Sequence, residues 1–189
     1  VGPTLRRGRD MEHIYEQPQF GENWFTSPDL YRRVVRDFPS GSRFIELGSA
    51  LGKSAAFMAV EIANSRKDIE FHLVDFAVST LAQRKSNLAP VRKYYSYMYP
   101  CSTVLALRLF PDEHFDFVFI DAAHDYASVV ADIRGWLPKV KHGGILAGHD
   151  YAKGSDGAWT WPGVVQAVQE NLPMEELQFS EDGFIYVKP

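Results

Sequence analysis

Short apolar runs that end on glycine or aspartate alternate along this chain with segments of helical period. That alternation narrows the available folds more than any other feature. Arg43 to Leu47 is such a run, and it enters a glycine turn before an alanine-rich helical stretch from Ser54 to Asn64. Glu70 to Asp75 reads as a second strand and Leu81 to Leu88 as a helix. Tyr94 to Tyr99 reads as a third strand, with a short helix from Thr103 to Phe110. Phe115 to Ile120 is apolar but for Asp116, as in a strand buried on both faces. Tyr126, Val129, Val130, Ile133 and Leu137 recur at helical spacing, Gly143 to Gly148 is the fifth strand, and Val164, Val165, Val168 and Leu172 mark a further helix. Ahead of these, Ser27-Pro28-Asp29 supplies an N-cap, a proline and an acidic first turn for a helix stopped by Pro39-Ser40-Gly41. At the end, Met174 to Phe179 and Phe184 to Lys188 flank Ser180-Glu181-Asp182-Gly183 as a hairpin.

Strands separated by helices pair in parallel through right-handed crossovers and are covered on both faces. The expected fold is therefore α/β: a doubly wound, Rossmann-like, seven-stranded and mostly parallel sheet with a C-terminal antiparallel hairpin. At 189 residues the chain is the size of one domain. That domain is expected over residues 27–189, after an extension over 1–26 that is partly flexible around Arg6, Arg7 and Arg9. No apolar run approaches the roughly 18 residues of a membrane span, and the first residues lack the apolar core of a secretory signal. A formal charge of −4 gives no basic footprint for nucleic acid. The single cysteine, Cys101, excludes an intramolecular disulfide and a cysteine-based zinc site and suits a reducing cytosol, so a cytoplasmic location is expected.

In such sheets ligands bind beyond the carboxyl ends of the strands. After the first strand, Gly48-Ser49-Ala50-Leu51-Gly52-Lys53-Ser54 lets the backbone turn tightly into a helix whose positive end favours an anion. Ala50 breaks the dinucleotide pattern, which disfavours a dehydrogenase, and the spacing before Lys53-Ser54 is not that of a P-loop. Asp75 ends the second strand, where a carboxylate can accept the hydroxyls of a ribose. Asp121 and Asp150 end the fourth and fifth strands, about 4.8 Å apart if neighbours. Two carboxylates that close need a cation or a shared proton between them. Mg²⁺, Mn²⁺ or Ca²⁺ is the economical occupant, although Asp121 capping the next helix, with His149 a hydrogen-bonded bystander, is the plainer alternative.

Glu46-Leu47-Gly48-x-x-x-Gly52-x-Ser54 followed by Val74-Asp75 resembles the cofactor site of class I S-adenosylmethionine-dependent methyltransferases, from about Trp24 to the end. The resemblance implies that Glu46, Gly48 and Gly52 wrap the methionine part, that Ser54 meets its carboxylate and that Asp75 binds ribose, with Asp121 counted at the cofactor's edge. It puts the adenine pocket near Cys101, Ser102 and Thr103. Ile120-Asp121-x-x-His124-Asp125-Tyr126 and Gly148-His149-Asp150-Tyr151 are similar to segments of small bacterial and phage methyltransferases, and to the metal-dependent O-methyltransferases. By that likeness Asp121 and Asp150 bind the metal, His149 stands where relatives carry another acidic residue, and His124 is the catalytic base. The implied reaction is O-methylation of a small-molecule or sugar hydroxyl. A metal-independent methyltransferase and a non-catalytic nucleoside-binding module remain the alternatives. Trp24-Phe25 would fold over the cofactor cleft or cover a second copy in a homodimer. Trp159-Thr160-Trp161-Pro162 would anchor the next helix or act as a substrate lid.

Overall fold

The computed structural model describes residues 10–22, 24–180 and 182–189, so the Arg6, Arg7 and Arg9 cluster lies outside the described residues. Helix α1 (Pro28–Asp37) precedes strand β1 (Arg43–Leu47), and α2 (Lys53–Ser65), β2 (Glu70–Val74), α3 (Leu81–Asn87) and β3 (Tyr97–Tyr99) follow. Then come α4 (Thr103–Ala106), β4 (Phe115–Ile120), α5 (Tyr126–Trp136), β5 (Val140–His149), α6 (Pro162–Asn171), β6 (Gln178–Phe179) and β7 (Gly183–Val187). The seven strands form one sheet in the order β3-β2-β1-β4-β5-β7-β6. Pairing is parallel from β3 through β5 and antiparallel at β7 and β6. This is the expected doubly wound architecture. The order reverses between β1 and β4, so the ends of those two strands form the crevice where such folds bind ligands.

Alternation along β1 and β4 builds two cores. Phe44, Phe117 and Phe119 face α1 and α2, where Tyr31 meets the Phe117 and Phe119 rings edge-on at 5.9 and 5.1 Å. Ile45, Leu47, Val118 and Ile120 face α5 and α6 on the other side. The β4–β5 register slips between Phe115 and Phe117, and the irregularity lets Phe115 join the second core beside Trp136.

Several elements differ from the sequence expectation. The stretch expected as a strand from Tyr94 begins as a 3-10 turn over Ala89–Tyr94, where Pro90 removes a backbone donor, and only Tyr97–Tyr99 pairs with β2. The helix expected from Thr103 to Phe110 breaks after Ala106 into a 3-10 turn. Met174–Glu176 is likewise a turn, leaving two residues of β6 to pair. Ser27 precedes α1 but makes no side-chain cap; Pro28 alone fixes the first turn.

The far end of α1 is held from outside. Lys67 Nζ donates to the carbonyls of Val35, Arg36 and Phe38, each at 2.7 Å, where a helix leaves its last oxygens unpaired and carries partial negative charge. Lys67→Met is expected to lower stability by roughly 1–3 kcal/mol, read from urea midpoints. An unchanged midpoint would show that water serves those carbonyls equally well.

Candidate active site

Two glycines shape the turn after β1. Gly48 has φ 87° and donates to the Val74 carbonyl at 2.8 Å. A Cβ at this position would lie 1.8 Å from the carbonyl oxygen of Asp121, so no side chain fits between this turn and the end of β4. Gly52, at φ 91°, is the N-cap of α2 and makes no side-chain cap, which leaves the first amides of that helix open.

The turn already cradles an anion that belongs to the protein. Oδ2 of Asp75 accepts from the amides of Ser49 at 3.0 Å and Ala50 at 2.8 Å, while Oδ1 accepts from Ala77 at 2.7 Å. Fully buried Arg84 completes the arrangement, with Nη2 at 2.9 Å from Asp75 Oδ2 and Nε donating to the Ala50 carbonyl at 2.5 Å. Asn87 adds a bond to the Leu51 carbonyl at 2.9 Å. The carboxylate expected to face a ribose is thus first a strut of the turn. Its Oδ1 keeps acceptor capacity beyond the one amide it binds.

Glu46 and Ser54 also meet each other. Ser54 Oγ donates to Glu46 Oε1 at 2.8 Å, and Tyr31 donates to Oε2 at 2.8 Å. Glu46 is 1% exposed. Burial pushes its pKa up to about 8, against the two hydroxyl bonds and with help from the charges of Asp121 and Asp75.

At the ends of β4 and β5 the strand-end residues converge. Asp125 caps α5 by accepting from the Ser128 amide at 3.0 Å, so Asp121 has no capping role. Asp121 has no side-chain hydrogen bond among the described residues, and burial pushes it up to about 6 despite the nearby imidazoles. One ligand atom from each of Asp121, His124 and Asp150 lies within 4.8 Å of the others. Asp150, in the left-handed region at φ 67°, binds two imidazoles: Oδ2 lies 2.8 Å from His124 Nε2 and Oδ1 lies 3.1 Å from His149 Nδ1. Burial works against its charge, but the two histidine bonds hold the carboxyl well below the usual range. The Asp150 bond raises the pKa of His124. For His149, burial opposes the charged form and the bond to Asp150 prevails, so its pKa is also raised.

The second ring nitrogen of His149, Nε2, lies 2.8 Å from Thr26 Oγ1, so both of its nitrogens have protein partners and the three-residue cluster contains His124 instead. The Thr26 contact is invisible from sequence, because the two residues are 123 positions apart. Trp161 stacks on His124 with ring centroids 4.2 Å apart and planes inclined by 18°. The intervening loop folds on itself: Lys153 bridges Trp159, and the Thr160 amide donates to the Ala152 carbonyl at 3.0 Å.

A family profile described as a methyltransferase domain matches residues 45–151, more than half of the chain and the span that holds every strand-end residue named above. The chain belongs to the class I S-adenosylmethionine-dependent methyltransferases. Its cofactor is accordingly S-adenosylmethionine, and the chain is an enzyme. Solved structures share the fold at low identity. A candidate caffeoyl-CoA O-methyltransferase from Staphylococcus aureus is 17% identical with a TM-score of 0.65, over 86% of this chain and 83% of its own. The TDP-rhamnose 3′-O-methyltransferase CalS11 of calicheamicin biosynthesis is 17% identical with a TM-score of 0.66, over 85% and 76%. Fibrillarin from Aeropyrum pernix, with natively bound S-adenosyl-L-methionine, is 15% identical with a TM-score of 0.57, over 83% and 72%. No curated protein matches the chain in sequence. Among the described residues no helix is long and apolar enough to cross a membrane.

Glu46 yields a stability prediction of definite sign. A carboxyl whose folded pKa is raised contributes stability below its unfolded value and loses it as the pH climbs from about 4.5 to about 8. Glu46→Gln keeps a neutral oxygen to accept from one of the two hydroxyls, and its amide can donate to the other. Its stability relative to the wild type should therefore rise across that window in denaturant titrations, and parallel pH profiles would contradict the burial argument.

Proposed function

We propose that this methyltransferase transfers its methyl group to the hydroxyl oxygen of a small molecule, with His124 as the base and a divalent cation held by Asp121 and Asp150. The observation that carries the reading is the contact between His124 Nε2 and Asp150 Oδ2 at 2.8 Å, beside a half-buried Asp121 whose side chain has no hydrogen-bond partner among the described residues. Asp150 stays ionised and can only accept, so Nε2 carries the proton. In the neutral ring Nδ1, which has no partner among the described residues, then keeps a free lone pair to which a hydroxyl proton can pass, and the pKa raised by Asp150 makes it the stronger base. The O-methyltransferase names of two structural neighbours support the choice of oxygen.

For the cofactor, the turn at Gly48, the uncapped start of α2, Ser54 and the remaining capacity of Asp75 Oδ1 are the groups we assign, with buried Glu46 bracing Ser54 from behind. Exposed Phe76 and Val78, just after Asp75, offer an apolar surface for its base. Bound S-adenosylmethionine supplies a methyl carbon activated by the sulfonium, so the protein's work is alignment and removal of one proton. Alignment of this kind is worth roughly 7–11 kcal/mol of barrier in favourable cases.

The donor set suits a cation. Asp121 is an orphaned carboxylate facing a second carboxylate, and a pair of carboxylate oxygens suits a hard divalent cation such as Mg²⁺ or Mn²⁺. A cation there would lower the pKa of the acceptor hydroxyl. His124 cannot serve as a ligand and take the proton at once, so we assign it the proton. His149, bound to Thr26 and Asp150, holds Asp150 in place in this reading. We assign residues 27–189 to the catalytic domain, with Thr26 tying the preceding segment to it. A metal-independent variant of the reaction is favoured by one observation: both oxygens of Asp150 already bind imidazoles.

Chelation separates the two. Dialysis against EDTA should abolish methyl transfer from labelled S-adenosylmethionine to a hydroxyl library, and Mn²⁺ or Mg²⁺ should restore it. Calorimetry should show one Mn²⁺ site in the wild type and none in Asp150→Asn; full activity in EDTA would leave the metal-independent reaction standing. His124→Ala should lower kcat by about 10²–10⁴-fold while affinity for S-adenosylhomocysteine stays within about threefold. Unchanged turnover would remove His124 from the reaction.

A further inference from the structure

Asp150 fixes one edge of the His124 imidazole, but a single contact at Nε2 leaves the ring free to swing about that bond. Trp161 supplies the missing constraint. Its indole lies parallel to the imidazole, 4.2 Å between centroids, so it fixes the plane in which Nδ1 points. Trp161 is 41% exposed, which sets it apart from a core residue that packs wherever space remains.

The backbone of Trp161 is held on both sides. Its carbonyl accepts from the amides of Val164 at 3.1 Å and Val165 at 3.2 Å, so it opens helix α6. On the other side, the Thr160 amide is tied to the Ala152 carbonyl across the small hairpin. Gly163 then seats the start of α6 directly on the turn that carries His124. A Cβ at Gly163 would stand 2.7 Å from the His124 carbonyl oxygen and 2.7 Å from the Tyr126 amide nitrogen. The absence of a side chain at 163 is thus what brings residue 161 within stacking distance of residue 124.

We propose that Trp161 is a positioning residue for His124, seated by Gly163, and that the stack rather than the bulk of the indole is what the reaction requires. The proposal rests on His124 being the base of the reaction above. Displacements near 1 Å at a reacting group can cost as much as about a hundredfold in rate, so loss of the stack should be visible in kcat and not in binding.

The test uses the full chain with S-adenosylhomocysteine and three variants. Trp161→Phe keeps a ring over the imidazole, Trp161→Leu removes the ring but keeps an apolar side chain, and Gly163→Ala pushes the helix start away with the indole intact. In labelled protein, the His124 ring protons should sit upfield in the wild type and in Trp161→Phe. They should move downfield in the other two variants, with a rise in imidazole mobility from relaxation measurements. Turnover should fall by about tenfold to a hundredfold in Trp161→Leu and Gly163→Ala. Acceptor KM and S-adenosylhomocysteine affinity should hold within about threefold, and Trp161→Phe should retain most of kcat. His124 resonances that do not respond to Trp161→Leu, or an imidazole that stays rigid without the indole, would overturn the proposal. So would full kcat in a variant whose stack is shown to be lost. If His124→Ala keeps its turnover while the stack and its rigidity are confirmed, the assignment of the base fails instead. The positioning of the ring would then stand apart from that reaction.

Discussion

Behind the glycine turn lies an ion pair almost out of reach of water, Arg84 with Asp75, and the geometry of the cofactor side depends on it. Arg84 is fully buried and Asp75 is 7% exposed. A charge in such a place survives only if it is paired and hydrogen-bonded, and removing one partner of a buried pair typically costs about 3–5 kcal/mol. Here the pair also sets shape. Asp75 gathers the amides of Ser49 and Ala50, Arg84 takes the Ala50 carbonyl, and the turn between Gly48 and Gly52 is held with its donors on one side and its acceptors on the other. The same turn leans on the end of β4 through Gly48. The turn braced by Arg84 from α3 thus also abuts the backbone of Asp121 at the end of β4.

The fold was legible because its signal is periodic and repeated. Five short runs, four of them ending on glycine or aspartate and separated by helical segments, left little choice but a parallel sheet. Short elements were less legible. At β3 and β6, pairing with one neighbour decides the extent of the strand, and local preference says little about it. The convergence of Asp121 and Asp150 could be anticipated from the adjacency of β4 and β5, since a strand-end position is fixed by the strand itself.

What sequence could not reveal was which polar groups satisfy one another. Asp75 looked free because its partners, two amides of a turn and an arginine from a helix of seven residues, carry no motif. Ser54 and Glu46 sit eight positions apart and close on each other only after the strand and helix have packed. His149 is turned toward Thr26 by a contact between distant parts of the chain. Asp125 beside His124 takes the helix cap, which a reading of neighbouring aspartates cannot apportion. Each case is a question of hydrogen-bond accounting in three dimensions, where a buried donor or acceptor takes the nearest partner whatever its position in sequence.

The small hairpin after β5 has a consequence for how this enzyme can change. Its base is closed by the Ala152–Thr160 hydrogen bond and the Lys153–Trp159 bridge, and its tip is a turn in which the Gly154 carbonyl accepts from Gly157. Because the ends are joined to each other, residues 154–158 can be lengthened or exchanged at a loop-closure cost that grows only slowly with length. Trp161 and Gly163 lie outside that closed unit. The tip is therefore an exchangeable cassette: a descendant can acquire a different surface there by insertion, while the imidazole, its carboxylate and the sheet beneath them are inherited unaltered.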